Sequence, residues 1–325
     1  MAIDQTTAAS EQIAQIASTA AILRQSVARV IVGRDDVVEM ALVALLCEGH
    51  VLIEDVPGLG KTMLAKTLAR SVGCEFRRIQ FTPDLMPSDI TGINFYNQKQ
   101  GEFEFRPGPL IANIVLADEI NRATPRTQSA LLEAMEERQL TVDGVTHALP
   151  RPFLVLATQN PVELEGTFPL PEAQLDRFLL RVRMGYPDAA EEDRILLRFE
   201  AENPLDMLEP VAHATDLMAL AAHLPAVFCD PSIRGYITAL TRASREHTAV
   251  DLGASPRASL ALFRASRAFA AIRGRAFVLP DDIQHLAPHV LAHRLVLGPQ
   301  ARLRGRDPEA LITEIIEQVP VPVSG

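Results

Sequence analysis

The segment from Val51 to Thr62, VLIEDVPGLGKT, restricts the fold more than any other part of the chain. Val51, Leu52 and Ile53, with Glu54 at the end, read as a short buried strand. Pro57, Gly58 and Gly60 make a loop that only small or φ-restricted residues tolerate, and Lys61-Thr62 open a helical run, MLAKTLARSV. Strand, glycine-rich loop and helix in that order form a phosphate cradle. Backbone N–H groups at the helix start point at the phosphates, Lys61 places a compact charge near the β and γ oxygens, and the Thr62 hydroxyl can ligate Mg²⁺. The complete pattern asks for glycine where this chain has Asp55. A bland turn between surface elements would not need a Lys-Thr pair behind a buried strand, so the stretch reads as a nucleotide phosphate site.

A chain of 325 residues has room for two domains of about 100–200 residues each. With 48% hydrophobic and 22% charged residues it is a globular sequence and not a disordered one. A net charge of −10 argues against a general attraction to nucleic acid or anionic lipid, although a local basic groove is compatible with it. Cys47, Cys74 and Cys229 sit in apolar runs and read as reduced core residues, which points to the cytosol. No apolar run approaches the roughly 20 residues of a membrane helix, and the N-terminus lacks the pattern of a signal peptide. A cytoplasmic protein, neither secreted nor membrane-spanning, is expected.

The chain divides near Pro187. Residues 7–30 place Ile13, Ile16, Ala20, Leu23 and Val27 on one helical face, and a second helix is predicted from Asp35 to Cys47. Between them Val30-Ile31-Val32-Gly33 is an apolar turn, either a wall for an adenine or a plain helix–helix connection. EFRRIQF (75–81) alternates as a strand, TPDLMPSDITG reads as a loop, and 93–105 and 139–149 carry hairpin signatures, the second with an Asp143-Gly144 type I′ turn. NIVLA (113–117), FLVLA (153–157) and 178–184 are further strands, and a helix starts near Pro125. Strands alternating with helices imply a parallel sheet covered on both faces. Beyond Pro187 the pattern is helical: 189–202, 214–223, 231–246, 256–273, 280–293 and 308–318, several with Pro in the first turn behind an Asp or Ser cap. The expected division is an α/β nucleotide-binding core over 1–186 and a helical domain over 187–325.

Polar groups cluster at the strand ends, where open α/β sheets bind ligands. Asp118 would hold Mg²⁺ together with Thr62, and Glu119 would polarise the water attacking the γ-phosphate. The plain alternative is that both carboxylates only favour the start of the next helix. Asn160, ending FLVLATQNP, can bond the γ-phosphate, but an Asn before Pro is also a turn starter. Arg177 lies just before a strand, and Asp176 or Glu172 could simply pair with it. Arg257 follows a Ser255 cap and Pro256, where a cation opposes the helix dipole by about 0.3–1 kcal/mol. Such a local conflict suggests a functional reason.

The order of phosphate loop, Asp-Glu after an apolar strand, strand-end Asn, DRF and SPRA resembles the AAA+ ATPases, and within them the MoxR family. The likeness runs from about Val32 to His293 and is carried by EDVPGLGKT, FTPDLMPSDITG, LADEINRA, LLEAMEERQLTVDG, LATQNP, GTFPLPEAQLDRF and SPRA. It implies an AAA+ fold, with a five-stranded parallel sheet, inserted β-hairpins and a small all-helical lid. It also implies ATP and Mg²⁺ as ligands. Asp55, Val56, Pro57, Gly58, Leu59, Gly60, Lys61 and Thr62 become the Walker A loop, with Met63 behind it and Val32 and Gly33 beside the nucleotide. MoxR proteins also place a non-glycine early in this loop, which accommodates Asp55. Asp118 and Glu119 become Walker B and Asn160 the first sensor. Arg177 resembles the arginine finger given to a neighbouring subunit, with Arg122 and Arg126 as rivals, and Arg257 resembles the second sensor.

The resemblance implies a homo-hexameric ring and a chaperone-like ATPase that matures metal- or cofactor-dependent protein clients with a von Willebrand factor A domain partner. Two alternatives share the motifs, a ring motor on nucleic acid and a magnesium-chelatase-like motor subunit. Against the first, residues 140–149 contain no Lys or Arg, and 93–105 offers one Lys against Glu102 and Glu104. A hairpin that grips a phosphate backbone needs cations. No nucleic acid and no membrane is expected as partner.

Overall fold

The computed structural model describes residues 2–161, 166–200 and 203–322. They form two compact units, one drawn from 22–171 with 182–218, the other from 1–21 with 172–181 and 219–325. The strands in chain order are β1 (Val51–Glu54), β2 (Phe76–Gln80), β3 (Gly92–Asn97), β4 (Glu102–Pro107), β5 (Ile114–Asp118), β6 (Gln139–Val142), β7 (Val145–Ala148), β8 (Leu154–Gln159) and β9 (Leu180–Val182). The main sheet has five strands in the order β2-β5-β8-β1-β9, and the pairings β2/β5, β5/β8 and β1/β8 are parallel.

Ile114 to Ala117 and Leu156 to Ala157 are fully buried, as continuous apolar runs must be in a sheet covered on both faces. Register then decides what happens at the polar ends. Gln80 pairs opposite Asp118, Ile53 opposite Thr158 and Glu54 opposite Gln159, so the strand ends that carry chemistry come level.

Helices α1 (Ala2–Ala28) and α2 (Asp35–Leu46) precede β1, and α3 (Lys61–Ser71) follows the glycine loop. The predicted stripe on α1, Ile13 to Val27, is buried throughout. In TPDLMPSDITG, predicted as a loop, the structure has a one-turn helix, α4 (Pro87–Thr91). Pro87 opens it and the Asp89 carboxylate accepts the Met86 N–H at 2.9 Å, a cap strong enough to order a single turn. Helix α5 (Pro125–Glu137) begins at the predicted proline.

Both hairpins are present, β3–β4 and β6–β7, the latter with positive φ at Asp143 (49°) and Gly144 (81°) as a type I′ turn requires. They touch through an Asn94 Nδ2 to Asp143 Oδ2 hydrogen bond of 2.9 Å and a Phe105–His147 stack. Because β4 runs on to Pro107, the first hairpin also carries Arg106, a cation that the 93–105 limits leave out.

The remaining helices are α6 (Glu172–Leu175), α7 (Ala189–Arg198), α8 (Ala214–Ala221), α9 (Pro231–Glu246), α10 (Pro256–Ile272), α11 (Pro280–Leu291), α12 (Pro299–Leu303) and α13 (Pro308–Gln318). Leu240, Leu262, Ala265, Leu286, Ile312 and Ile315 are buried apolar positions of α9, α10, α11 and α13 within the second unit. The predicted all-helical unit also contains a small antiparallel ribbon, β10 (Val250–Leu252) with β11 (Val296–Leu297), too short to show an alternation in sequence. Of the cysteines, Cys229 is buried and Cys47 and Cys74 are only half-buried at helix ends, all as free thiols. Among the described residues no helix is long and apolar enough to cross a membrane.

Candidate active site

Gly58 and Gly60 adopt φ values of 89° and 86°, which cost an L-residue about 1–2 kcal/mol. The turn they allow delivers the chain directly into α3, with Gly60 as its cap. The first N–H groups of α3 have no intrahelical partner, and Lys61 and Thr62 at that helix start line the same cavity as the loop. That cavity, about 240 Å³, is lined by Pro57, Gly58, Gly60, Lys61 and Thr62 on one side and by Asp118, Glu119 and Asn160 on the other. The Lys61 ammonium donates to the Asp55 carbonyl at 2.6 Å. Burial draws its pKa below the ordinary lysine value, while Asp55, Asp118 and Glu119 oppose that shift.

The acidic pair is held by groups from neighbouring strands. Thr158 Oγ1 donates to Asp118 Oδ1 at 2.6 Å and accepts the Glu119 N–H at 2.8 Å. Arg78 donates to Asp118 Oδ2 from Nε at 3.1 Å and Nη2 at 2.6 Å. Glu119 sits in the left-handed region at φ 57°, ψ 50°, unusual for a non-glycine, and this turns its side chain into the cavity. Its Oε2 accepts Gln80 Nε2 at 2.9 Å and pairs with Arg122 Nε at 3.0 Å.

A second cavity of about 230 Å³ shares Gly58 and Gly60 with the first and is walled by Ile31, Val32, Met63, Met184, Ile195 and Phe199. A largely apolar cavity abutting a phosphate loop suits a purine. Val30, Ile31 and Val32 of the connecting turn line this cavity. Gly33 does not line the slot. Its φ of +67° favours glycine, and a Cβ there would lie 1.7 Å from Glu191 Oε1, so the Glu191 carboxylate would have to move. Arg34 ties this region together, donating to Gly33 O (2.7 Å), Glu191 Oε2 (3.1 Å) and Gly185 O (2.9 Å).

Asp55, the departure from the glycine pattern, turns its carboxylate away from the phosphate cavity and accepts the N–H groups of Met184 at 2.5 Å and Gly185 at 2.8 Å. It braces the loop against the segment leading to α7. Val56 likewise lines neither cavity. Arg177 and Arg257 belong to the other compact unit. Sequence reasoning missed Arg78, Gln80, Thr158, Arg34 and Glu191. The strand reading of EFRRIQF already put Arg78 and Gln80 on the same face, beside the acidic pair once β2 and β5 are neighbours.

Comparison with known proteins agrees with this geometry. Residues 50–180 match the ATPase family associated with various cellular activities (AAA), and residues 242–315 match the AAA lid domain. Chaperone MoxR1 of Mycobacterium tuberculosis is 45% identical over 91% of this chain and 80% of its own length. The chain belongs to the MoxR family of AAA+ ATPases. Another relative, the uncharacterised YeaC of Bacillus subtilis, is 55% identical over 91% of this chain and 92% of its own. The crystal structure of a provisionally assigned ATPase from Cytophaga hutchinsonii superposes with a TM-score of 0.92 at 38% identity, covering 98% of this chain and 99% of that one. The parallel sheet, inserted hairpins and helical lid unit are thus the MoxR form of the AAA+ fold, and ATP hydrolysis is the activity of the family.

Proposed function

We propose that the protein is an ATP-driven remodelling factor working as a homo-hexameric ring on a protein client, with a von Willebrand factor A domain partner. The observation that carries the ATP-driven part of this reading is the convergence of Lys61, Thr62, Asp118, Glu119 and Asn160 on one cavity beside an apolar slot. The α3 N–H groups and Lys61 bind the phosphates, and the slot takes the adenine. The Thr62 hydroxyl and the Asp118 carboxylate are hard oxygen donors on one wall-to-wall cavity, which fits Mg²⁺ shared with phosphate oxygens. Thr62 and Asp118 would hold such an ion, which would supply charge neutralisation for the phosphates.

Glu119, oriented by Gln80 and Arg122, takes a proton from the attacking water, and Asn160 fixes that water near the γ-phosphate. Arg177 acts on the nucleotide of the next subunit, and Arg257 is the lid's sensor of the γ-phosphate. The protein client is favoured by the exposed apolar pair Tyr96 and Phe103 on the first hairpin, in edge contact at 5.3 Å and flanked by Glu102 and Glu104, whose charges would repel a phosphate backbone. Glu119→Gln should retain ATP binding and lose turnover by about 100-fold or more, measured by nucleotide titration and phosphate release. Sustained hydrolysis would remove Glu119 from the role of base. The same variant, purified from its host, should retain protein partners. Tight, salt-sensitive capture of single-stranded DNA would instead favour the nucleic-acid motor.

A further inference from the structure

We infer that Asp176, gripped by Arg294 and Ser255, positions Arg177 and Arg257 as one rigid pair; the inference rests on the finger and sensor roles proposed for those two arginines. Arg294 is 6% exposed and closes the turn after α11. Its guanidinium donates from Nε to Asp176 Oδ1 at 2.7 Å. The other nitrogens reach backbone carbonyls on both sides of Arg177: Nη2 to Phe178 O at 2.6 Å and Asp176 O at 3.4 Å, Nη1 to Leu179 O at 3.4 Å and to Val290 O. His293 Nε2 also bonds Phe178 O, at 3.2 Å. The peptide units that carry Arg177 are thereby fixed to a buried fork.

The second oxygen of the same carboxylate, Asp176 Oδ2, accepts the Ser255 hydroxyl at 3.0 Å. Ser255 caps α10 by accepting the Ala258 N–H, and Arg257 is the second residue of that helix. One carboxylate therefore links the base of Arg177 to the helix start that aims Arg257. Burial draws the Arg294 guanidinium below its ordinary value, Asp176 opposes the shift and the charge of Arg257 adds to it, so the three groups share one field.

A buried ion pair is a weak source of stability, because desolvation offsets most of the attraction. What a planar guanidinium supplies is direction, since its donors are fixed in one fork. The pair also accounts for a cation in the first turn of α10 despite the helix dipole: Asp176 places a negative charge at that end. Arg294, Asp176 and Ser255 are positioning residues, and they touch no reacting atom.

The test uses the full-length protein. Ser255→Gly removes the hydroxyl yet keeps an acceptable helix cap, and Asp176→Asn keeps shape while removing charge. Each should lower kcat for ATP hydrolysis about tenfold while ATP affinity stays near native. Ser255→Thr, which restores the hydroxyl, should restore kcat. The decisive readout is a double-mutant cycle: Ser255→Gly should lower kcat by a smaller factor in an Arg257→Ala background than in the native protein, which a general loss of stability would not reproduce. Native kcat in both Ser255→Gly and Asp176→Asn, or full additivity in the cycle, overturns the relay. Native turnover in Arg177→Ala and Arg257→Ala overturns the arginine roles instead, so the two failures are distinguishable.

Discussion

Thr158 uses one hydroxyl twice, donating to Asp118 and accepting the Glu119 N–H, and so fixes both acidic residues at the end of β5. Glu119 depends on that second bond, because a non-glycine in the left-handed region is held only by surroundings that over-determine it. Thr158→Val, close in shape, should lower kcat about tenfold through misplacement of both carboxylates. It should also cost about 1–3 kcal/mol for the unpaired buried groups, read by denaturant unfolding. Thr158→Ser should keep both properties near native. Thr158 escaped notice in the sequence because TQN before Pro is an ordinary strand ending, whereas Lys61 and Thr62 announced themselves through an adjacent glycine loop.

Helix α7 shows how an element conveys site geometry. Asp188 Oδ1 accepts the Glu191 N–H at 2.8 Å and Glu191 Oε2 accepts the Asp188 N–H at 3.1 Å, a capping box. The same Glu191 carboxylate pairs with Arg34 beneath the apolar slot, and Ile195 and Phe199 at the far end of α7 form part of its wall. Asp188→Ala should cost about 1 kcal/mol of stability. It should also weaken ATP affinity several-fold with little change in kcat, since the slot binds the ground and transition states alike. A nucleotide titration with unchanged affinity would dissociate the cap from the slot. The helix itself was legible, because caps and apolar spacing are local features. Its partnership with Arg34 was not, because it spans 157 residues of sequence.

At the scale of the whole molecule, His293 sets a lower pH limit on stability. It is buried, and desolvation first, then the neighbouring charges of Arg294 and Arg181, holds its pKa well below the ordinary 6.5. The unfolded chain binds a proton near pH 6.5 that the folded chain refuses, so stability falls as pH drops below that value. The slope from this group approaches about 1.4 kcal/mol per pH unit. His293→Gln, which keeps a donor for the Phe178 carbonyl, should flatten unfolding free energy between pH 6.5 and lower values relative to native protein. Equal slopes in the two proteins would clear His293. The proposed ring makes its own prediction: Arg177→Ala alone should be inactive, and mixing with Glu119→Gln subunits should return part of the turnover, because each inactive partner supplies what the other lacks. Mixtures as inactive as the separate proteins would argue against a site shared between subunits.

The chain alone determined the phosphate loop, the apolar strands, both hairpins and most helix starts. Each depends on φ preferences, caps or periodicity within a few neighbouring residues. It also determined which strand ends carry Asp118, Glu119 and Asn160. Only the tertiary structure decided that Arg78 and Gln80 face that pair, that Asp55 braces Met184 and Gly185, and that Arg294 holds the backbone around Arg177. Parallel strands are joined by crossovers, so no local signal fixes which two lie side by side or in which register. Packing of the completed sheet and of the helical unit makes that choice, and the side-chain contacts follow from it.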